Sequence, residues 1–554
     1  MSRTLLTYDD LIPGIGSGAP VNLSAYALPE GAAHPVHVFA GTLALSGEKT
    51  AGKFAEIKDL YGYTGGDDHP RKHLPPFEFQ FLQAGSYIFP LRRESIAGNH
   101  PDWEYVLTPG RVWQEQGDLG YSRVALPFAL QERNANCMHN GVLSFLFKAD
   151  GSISRAAYQI SSETCLYFKA DWWGILEASY TPQIIPDQKA LIQRYQRELD
   201  ARMPVKPLSA LAVDYPGADY AVFANPSGND SPEVTLAGFV VDGTHYRGDC
   251  ATRHGDYPYC DSLVLPSYST AKGLFAGLAM MRLQQLYPGV RDAEVSRYID
   301  ACSDHRWHDV TLNDLLDMTT GNYHSDAYME DEDSPHTEGL FFAEKHQQKI
   351  QYSCDYYTRK SPPGSQWVYH TSDTYIAGTL MAEYLRALGG DEVDLFTDIV
   401  VSDLWDPIGI SATGRYTRRT YDSRRQPFSG WGLMWLPDDV AKIARFVALD
   451  EGRVDGQAKL NVDELDAALQ RRSADKGAEP LAAYRYNNGF WAYDVGGQLE
   501  GCSGELWIPF LSGYGGITIA LLPNQSIYYY FSDRGDFGWL HAVRAAHSIR
   551  RLCP

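Results

Sequence analysis

The stretch from Ser269 to Leu286 constrains this chain most. Leu274, Phe275, Leu278, Ala279, Met280, Met281 and Leu283 leave no polar stripe along a helical repeat. A helix that is apolar nearly all round must be buried on all sides, which predicts a large domain built around it. Its first turn carries Ser269 and Lys272. Residues three apart share a helix face, so the lysine amine reaches the serine hydroxyl. Burial and the positive end of the helix dipole both disfavour the ammonium form. A neutral amine accepts the serine proton, which makes Ser269 the candidate nucleophile and Lys272 its base.

Ser-x-x-Lys occurs three times, so the motif by itself specifies nothing. Ser46 and Lys49 flank Gly47 in a turn between strands. Ser473 and Lys476 lie in a polar run. Only Ser269 opens a buried helix.

The chain has 554 residues, room for two or more domains. Its net charge of −21 repels phosphate backbones and anionic lipid, which argues against nucleic-acid partners. No apolar run of about 18 residues occurs, so no membrane span is expected. The first ten residues lack the apolar core of a signal peptide, which makes the cytoplasm the default location. A chain trimmed at that end would read the same and belong to the periplasm or the exterior. The eight cysteines form no Cys-x-x-Cys pair, so no zinc ribbon or thioredoxin-type site is expected. Cys250 and Cys260 stand near enough to close a loop; otherwise free, mostly buried thiols are expected.

Residues 22 to 185 read as β-rich, with short alternating runs and a hairpin turning at Asp150 and Gly151. Without a βαβ rhythm, a β-sandwich is the expected architecture. Trp103, Trp113, Trp172 and Trp173 there read as core or interdomain packing. A helix is expected from Asp187 to Met203, capped by Asp187, with Leu191, Tyr195 and Leu199 on one face. The expected organisation is a β-rich domain over 1–185, a linker helix over 186–205 and a mixed domain over 206–554. In the last, Thr311 and Asp314 form a capping box, and further helices run over 372–388, 437–449 and 539–552. Strands are expected over 517–522 and 527–532.

Four ordered blocks in the second half resemble the serine β-lactamase and penicillin-binding superfamily, particularly its class C, esterase and nylon-oligomer-hydrolase branch. They are Pro266 to Phe275, Val310 to Gly321, Pro363 to Gly378 and Trp431 to Ala441. The resemblance covers roughly 210 to 545. It implies an α+β fold, an antiparallel sheet flanked by helices. It also implies a serine hydrolase acting through an acyl-enzyme, with no metal or organic cofactor. At the family's second motif, within the third of these blocks, Tyr369, His370 and Thr371 stand where class C relatives have Tyr-x-Asn. Tyr369 is then the phenol that relays protons, and Thr371 replaces the asparagine. The third family motif falls on Leu511, Ser512 and Gly513, followed by Tyr514; the usual cation is a leucine. Thr371, Ser512, Gly513 and Tyr514 are the implied substrate-binding residues, with the Ser269 and Tyr514 N–H groups as oxyanion hole.

The implied substrate is a small-molecule carboxylic ester or small amide. A leucine facing the cleft at 511 would disfavour an anionic β-lactam. The alternatives are a D-amino-acid peptide hydrolase or β-lactamase on the same fold, and a catalytically silent binding or sensor protein. The acidic run Tyr323 to His336 follows the second block and reads as a solvated loop or lid. A metal site from His324, Asp326, Glu330 and His336 fits no standard spacing. His370 has no Gly-x-Ser-x-Gly elbow to serve, so it is not expected to act as a triad base.

Overall fold

The computed structural model describes residues 5–12, 18–46, 53–66, 68–227, 234–472 and 474–553. Lys49 and Ser473, members of the two discounted motifs, lie outside these residues.

The first half forms a closed barrel. Its strands are β1 (Ala40–Ser46), β2 (Phe77–Ala84), β3 (Tyr87–Pro90), β4 (Gly110–Trp113), β5 (Ser122–Glu132), β6 (Met138–Phe147), β7 (Ala156–Thr164) and β8 (Phe168–Pro182). Antiparallel pairing runs β5-β4-β3-β2-β1-β8-β7-β6 and returns to β5. The β-rich reading holds, but the expected sandwich is one sheet closed on itself. Closure depends on β5: one edge pairs with β6 along its length, and the other takes β4 and then Trp103–Leu107. Alternation fills the interior, with Val124, Leu126, Phe128 and Leu130 of β5 facing Leu143 and Phe145 of β6. The opposite face, including Ala125, Val142 and Leu146, joins the core of the second half. Both faces are apolar because both are covered. Trp103, Trp113 and Trp172 are fully buried and Trp173 nearly so, as core residues.

Helix α1 (Gln188–Asp200) lies outside the barrel, with Leu191, Tyr195 and Leu199 on Leu82 and Phe89. Asp187 does not cap it: its backbone is left-handed and its side chain makes no capping bond.

The second half is an eight-stranded sheet with helices on both faces. Its strands are β9 (Val205–Pro207), β10 (Val234–Val241), β11 (Thr244–Arg247), β12 (Tyr484–Asn487), β13 (Phe490–Asp494), β14 (Trp507–Gly513), β15 (Ile517–Leu522) and β16 (Ser526–Ser532). Their order is β9-β11-β10-β16-β15-β14-β13-β12. All pairs are antiparallel except β9 with β11. Alternating residues divide the two faces. Ile519, Leu521, Ile527 and Tyr529 pack with the Ser269 helix and helix α4 (Pro437–Ala448). Ala520, Leu522, Tyr528 and Tyr530 pack with the terminal helix α5 (Leu540–Ile549). Helix α3 (Thr371–Gly389) packs on the Ser269 helix, within the core that the latter shares with α4.

All eight cysteines are paired, contrary to the expectation of free thiols: Cys137–Cys165, Cys250–Cys260, Cys302–Cys354 and Cys502–Cys553. Three of the pairs join residues far apart in sequence, which only the fold brings together.

Candidate active site

The Ser269 helix starts irregularly. A tight turn over Tyr268–Thr270 leads into a π-helical segment, Lys272–Gly277, and then α2 (Leu278–Leu286). Gly273 allows this: a Cβ there would lie 2.3 Å from Leu511 Cδ2 and 3.1 Å from the Gly489 carbonyl. The sheet therefore presses directly on the first turns of the helix. Ser269 is half-buried, whereas its neighbours Ser267, Tyr268, Thr270 and Lys272 are buried.

Lys272 is 1 % exposed. Its Nζ lies 3.0 Å from Ser269 Oγ, 2.8 Å from Thr371 Oγ1 and 3.4 Å from the Gly430 carbonyl. An ammonium donates to all three. A neutral amine donates to two and turns its lone pair to the third; the Gly430 carbonyl has no proton and Thr371 gives its own to Glu332, which leaves the Ser269 hydroxyl to give one. Burial pushes the amine down to about 8, against the pull of Glu332 and Asp373.

The Tyr369 phenol lies beside the Ser269 hydroxyl, and its ring centroid lies 4.9 Å from Lys272 Nζ. Burial, and then the Glu332 charge, push its phenol well above the ordinary range. It therefore stays protonated at neutral pH and is suited to donate a proton. Thr371, expected on the substrate, is 2 % exposed, and its hydroxyl is committed to Lys272 and Glu332.

Glu332 is the residue that sequence reasoning missed. It comes from the acidic run read as a solvated loop, and it reaches inward to accept the Thr371 N–H at 2.8 Å and the Thr371 hydroxyl. It thereby caps α3 from outside and complements the helix dipole. Asp331 beside it accepts from the His324 and Ser325 N–H groups and lies 3.0 Å from His370 Nε2. Asp373 lies 3.5 Å from the other ring nitrogen. Burial opposes charge on His370, but these two carboxylates win and raise it to about 9. His370 is thus an imidazolium bolting the acidic loop to α3, away from Ser269. The available signal was position: this run directly follows the Val310 to Gly321 block.

Gly513 ends β14 against the nucleophile turn, where a Cβ would sit 3.0 Å from the Ser267 carbonyl. The rings of Tyr514 and Tyr268 lie 5.7 Å apart. Ser512 is half-buried and Tyr514 exposed beside the turn. Leu511 does not face the cleft: it is 1 % exposed and packs beneath Gly273. A leucine extending that apolar core explains why no cation is found there.

The second half, over 234–544, matches the family model described as Beta-lactamase, which covers more than half of the chain. The chain belongs to the β-lactamase family. No curated protein matches it in sequence. Among solved structures, this β-lactamase-family chain is similar to a provisionally assigned 6-aminohexanoate-dimer hydrolase from Bacillus anthracis. That match has 16 % identity and a TM-score of 0.44, over 63 % of this chain and 86 % of the other. A penicillin-binding protein homologue from Caulobacter crescentus matches at 13 % identity and a TM-score of 0.40, over 66 % of this chain and 99 % of the other. A family VIII carboxylesterase matches at 16 % identity and a TM-score of 0.39, over 65 % and 97 %.

Among the described residues, the one cluster with metal-ligand geometry is Cys137, His139 and Cys165. The Cys137–Cys165 disulfide consumes both thiolates, so the cluster does not fit a metal. His324, Asp326, Glu330 and His336 do not converge as such a group. No helix among the described residues is long and apolar enough to cross a membrane.

Proposed function

We propose that this chain is a serine hydrolase that cleaves a carboxylic ester or small amide through an acyl-enzyme on Ser269. The observation that carries the reading is a buried amine near its neutralisation point, 3.0 Å from a half-buried serine hydroxyl that also meets a protonated phenol.

The neutral Lys272 amine takes the Ser269 proton as Oγ bonds to the carbonyl carbon. The Ser269 and Tyr514 N–H groups receive the developing oxyanion. The Tyr369 phenol then protonates the leaving alkoxide or amine as its bond to carbon breaks, and Lys272 returns a proton to Tyr369. Water repeats the sequence on the acyl carbon: Lys272 accepts its proton, and Ser269 leaves reprotonated. No step calls for a metal. Ser512 and Gly513 line the substrate's path beside the turn, and Thr371 serves by holding Lys272.

The substrate is neutral rather than anionic. The core position of Leu511 offers a carboxylate nothing, and Asp333 stands near Glu332, Tyr328 and Tyr514, placing negative charge at the mouth. A carboxylate drawn in would lose water without gaining a partner.

A fluorophosphonate probe with mass mapping tests the assignment. Wild-type chain should be labelled at Ser269 and the Ser269→Ala variant, equally folded, should not. Label on another serine, or none, sinks the reading.

A further inference from the structure

The nucleophile turn is not held by its own half of the chain alone. Tyr268, directly before Ser269, has φ of +41°, a left-handed backbone that a bulky residue keeps only when its surroundings enforce it. The enforcing group comes from the barrel. Asn136 lies in the turn joining β5 to β6 and is 1 % exposed. Its Oδ1 accepts the Tyr268 N–H at 2.6 Å and the Ser267 hydroxyl at 3.2 Å. Its Nδ2 donates to the Leu433 carbonyl at 3.2 Å. That carbonyl also accepts the Ser267 N–H at 3.0 Å, and the Leu433 N–H donates to Ser267 Oγ at 3.0 Å. One amide side chain thus ties both residues before Ser269 to Leu433.

The same end of the barrel braces the turn a second time. Cys137 is bonded to Cys165, and Tyr167, two residues on, lies beside the Tyr268 phenol, gives its own hydroxyl to Glu132 and packs 6.3 Å from the Tyr514 ring. The barrel therefore touches the residues preceding Ser269 and one of the two residues whose N–H groups would bind the oxyanion.

We propose that Asn136 is a positioning residue of the active site: it holds Tyr268 left-handed so that the Ser269 hydroxyl and N–H face the substrate carbonyl together. The barrel is then a working part of the hydrolase rather than an appended module. This rests on the reading of Ser269 as nucleophile.

The test compares full-length Asn136→Ala and Asn136→Asp with wild type. The readouts are the fluorophosphonate labelling rate at Ser269, kcat and KM for a short neutral ester, the pH midpoint of kcat/KM, and Tm. In Asn136→Ala, labelling and kcat per folded molecule should fall about 10- to 100-fold, as for a reacting group displaced by up to about 1 Å. KM should change little. The pH midpoint should not move, because the surroundings of Lys272 are untouched. Asn136→Asp keeps the oxygen that accepts from Tyr268 and Ser267 but loses the N–H given to Leu433, so it should lose less than Asn136→Ala without reaching wild type; Asn136→Ser takes the place of the alanine variant if that fails to fold. Wild-type rates in the alanine or serine variant, or an equal loss in Asn136→Asp, overturn the proposal. A wild-type chain unlabelled at Ser269 overturns the hydrolase reading itself, and this inference with it.

Discussion

The most informative perturbation is Glu332→Gln, because Glu332 should set the pH range of the proposed base. Two hydrogen bonds in series, Lys272 to Thr371 and Thr371 to Glu332, separate the charges by about 5 Å. At an effective dielectric of about 20, that distance corresponds to about 3 kcal/mol, or about two pK units. Glu332 is only half-buried, so solvent and salt reduce the effect to about one unit. The sign follows from the amine. The carboxylate favours the ammonium, so its removal lets Lys272 lose its proton at lower pH. The wild-type kcat/KM should rise with pH through about 8, where Lys272 becomes neutral. In Glu332→Gln the midpoint should move to about 7. The plateau can fall as well, since the carboxylate uses one oxygen for the Thr371 N–H and the other for its hydroxyl and glutamine has an NH2 in place of one of them, but the midpoint is the diagnostic quantity. Steady-state kinetics across pH 5 to 10 on one neutral ester measures it. A midpoint that stays in place or moves upward would refute the argument that Glu332 acts on Lys272.

Lys272→Ala and Tyr369→Phe should each lower kcat by about 100-fold or more, with circular dichroism and Tm showing both variants folded. A neutral ester should exceed its carboxylate-bearing analogue in kcat/KM; preference for the anion would contradict the acidic mouth. His370 is raised to about 9, so its pairing with Asp331 and Asp373 stabilises fully below about 6.5 and is lost as pH rises through 9, a contribution on the order of 3 kcal/mol. Chemical denaturation of wild type and His370→Asn at pH 6 and pH 10 should show a difference that shrinks at the higher pH. Replacing Cys302 and Cys354 together by alanine should cost up to about 4 kcal/mol, since that bridge closes a loop across a separation of 52 residues.

The contact between Ser269 and Lys272 was legible because it is local. Ser269 and Lys272 share one turn, and the apolar surface that follows them dictates burial, so their contact and the depressed amine follow from helix geometry and solvation alone. The capping box at Thr311 and Asp314 is equally local, and the structure has it. The hairpin at Asp150 and Gly151 was readable for the same reason, Gly151 taking the positive φ that such a turn requires.

What the tertiary structure decided are contacts between segments distant in sequence. Alternating strands suit a sandwich and a barrel alike; the pairing of both edges of β5 chose the barrel. Leu511 was placed by its rank in a motif, but strand alternation and the absence of a Cβ at Gly273 turn it into the core. Glu332 reads as one acid in a polar run, and nothing local shows that the unsatisfied start of α3 lies within its reach. The cysteines and Asn136 make the same point. A disulfide or a side-chain amide needs only a few ångströms of proximity, and that proximity is a property of the folded chain, in which a residue of the barrel holds the turn before Ser269, 132 positions away from it.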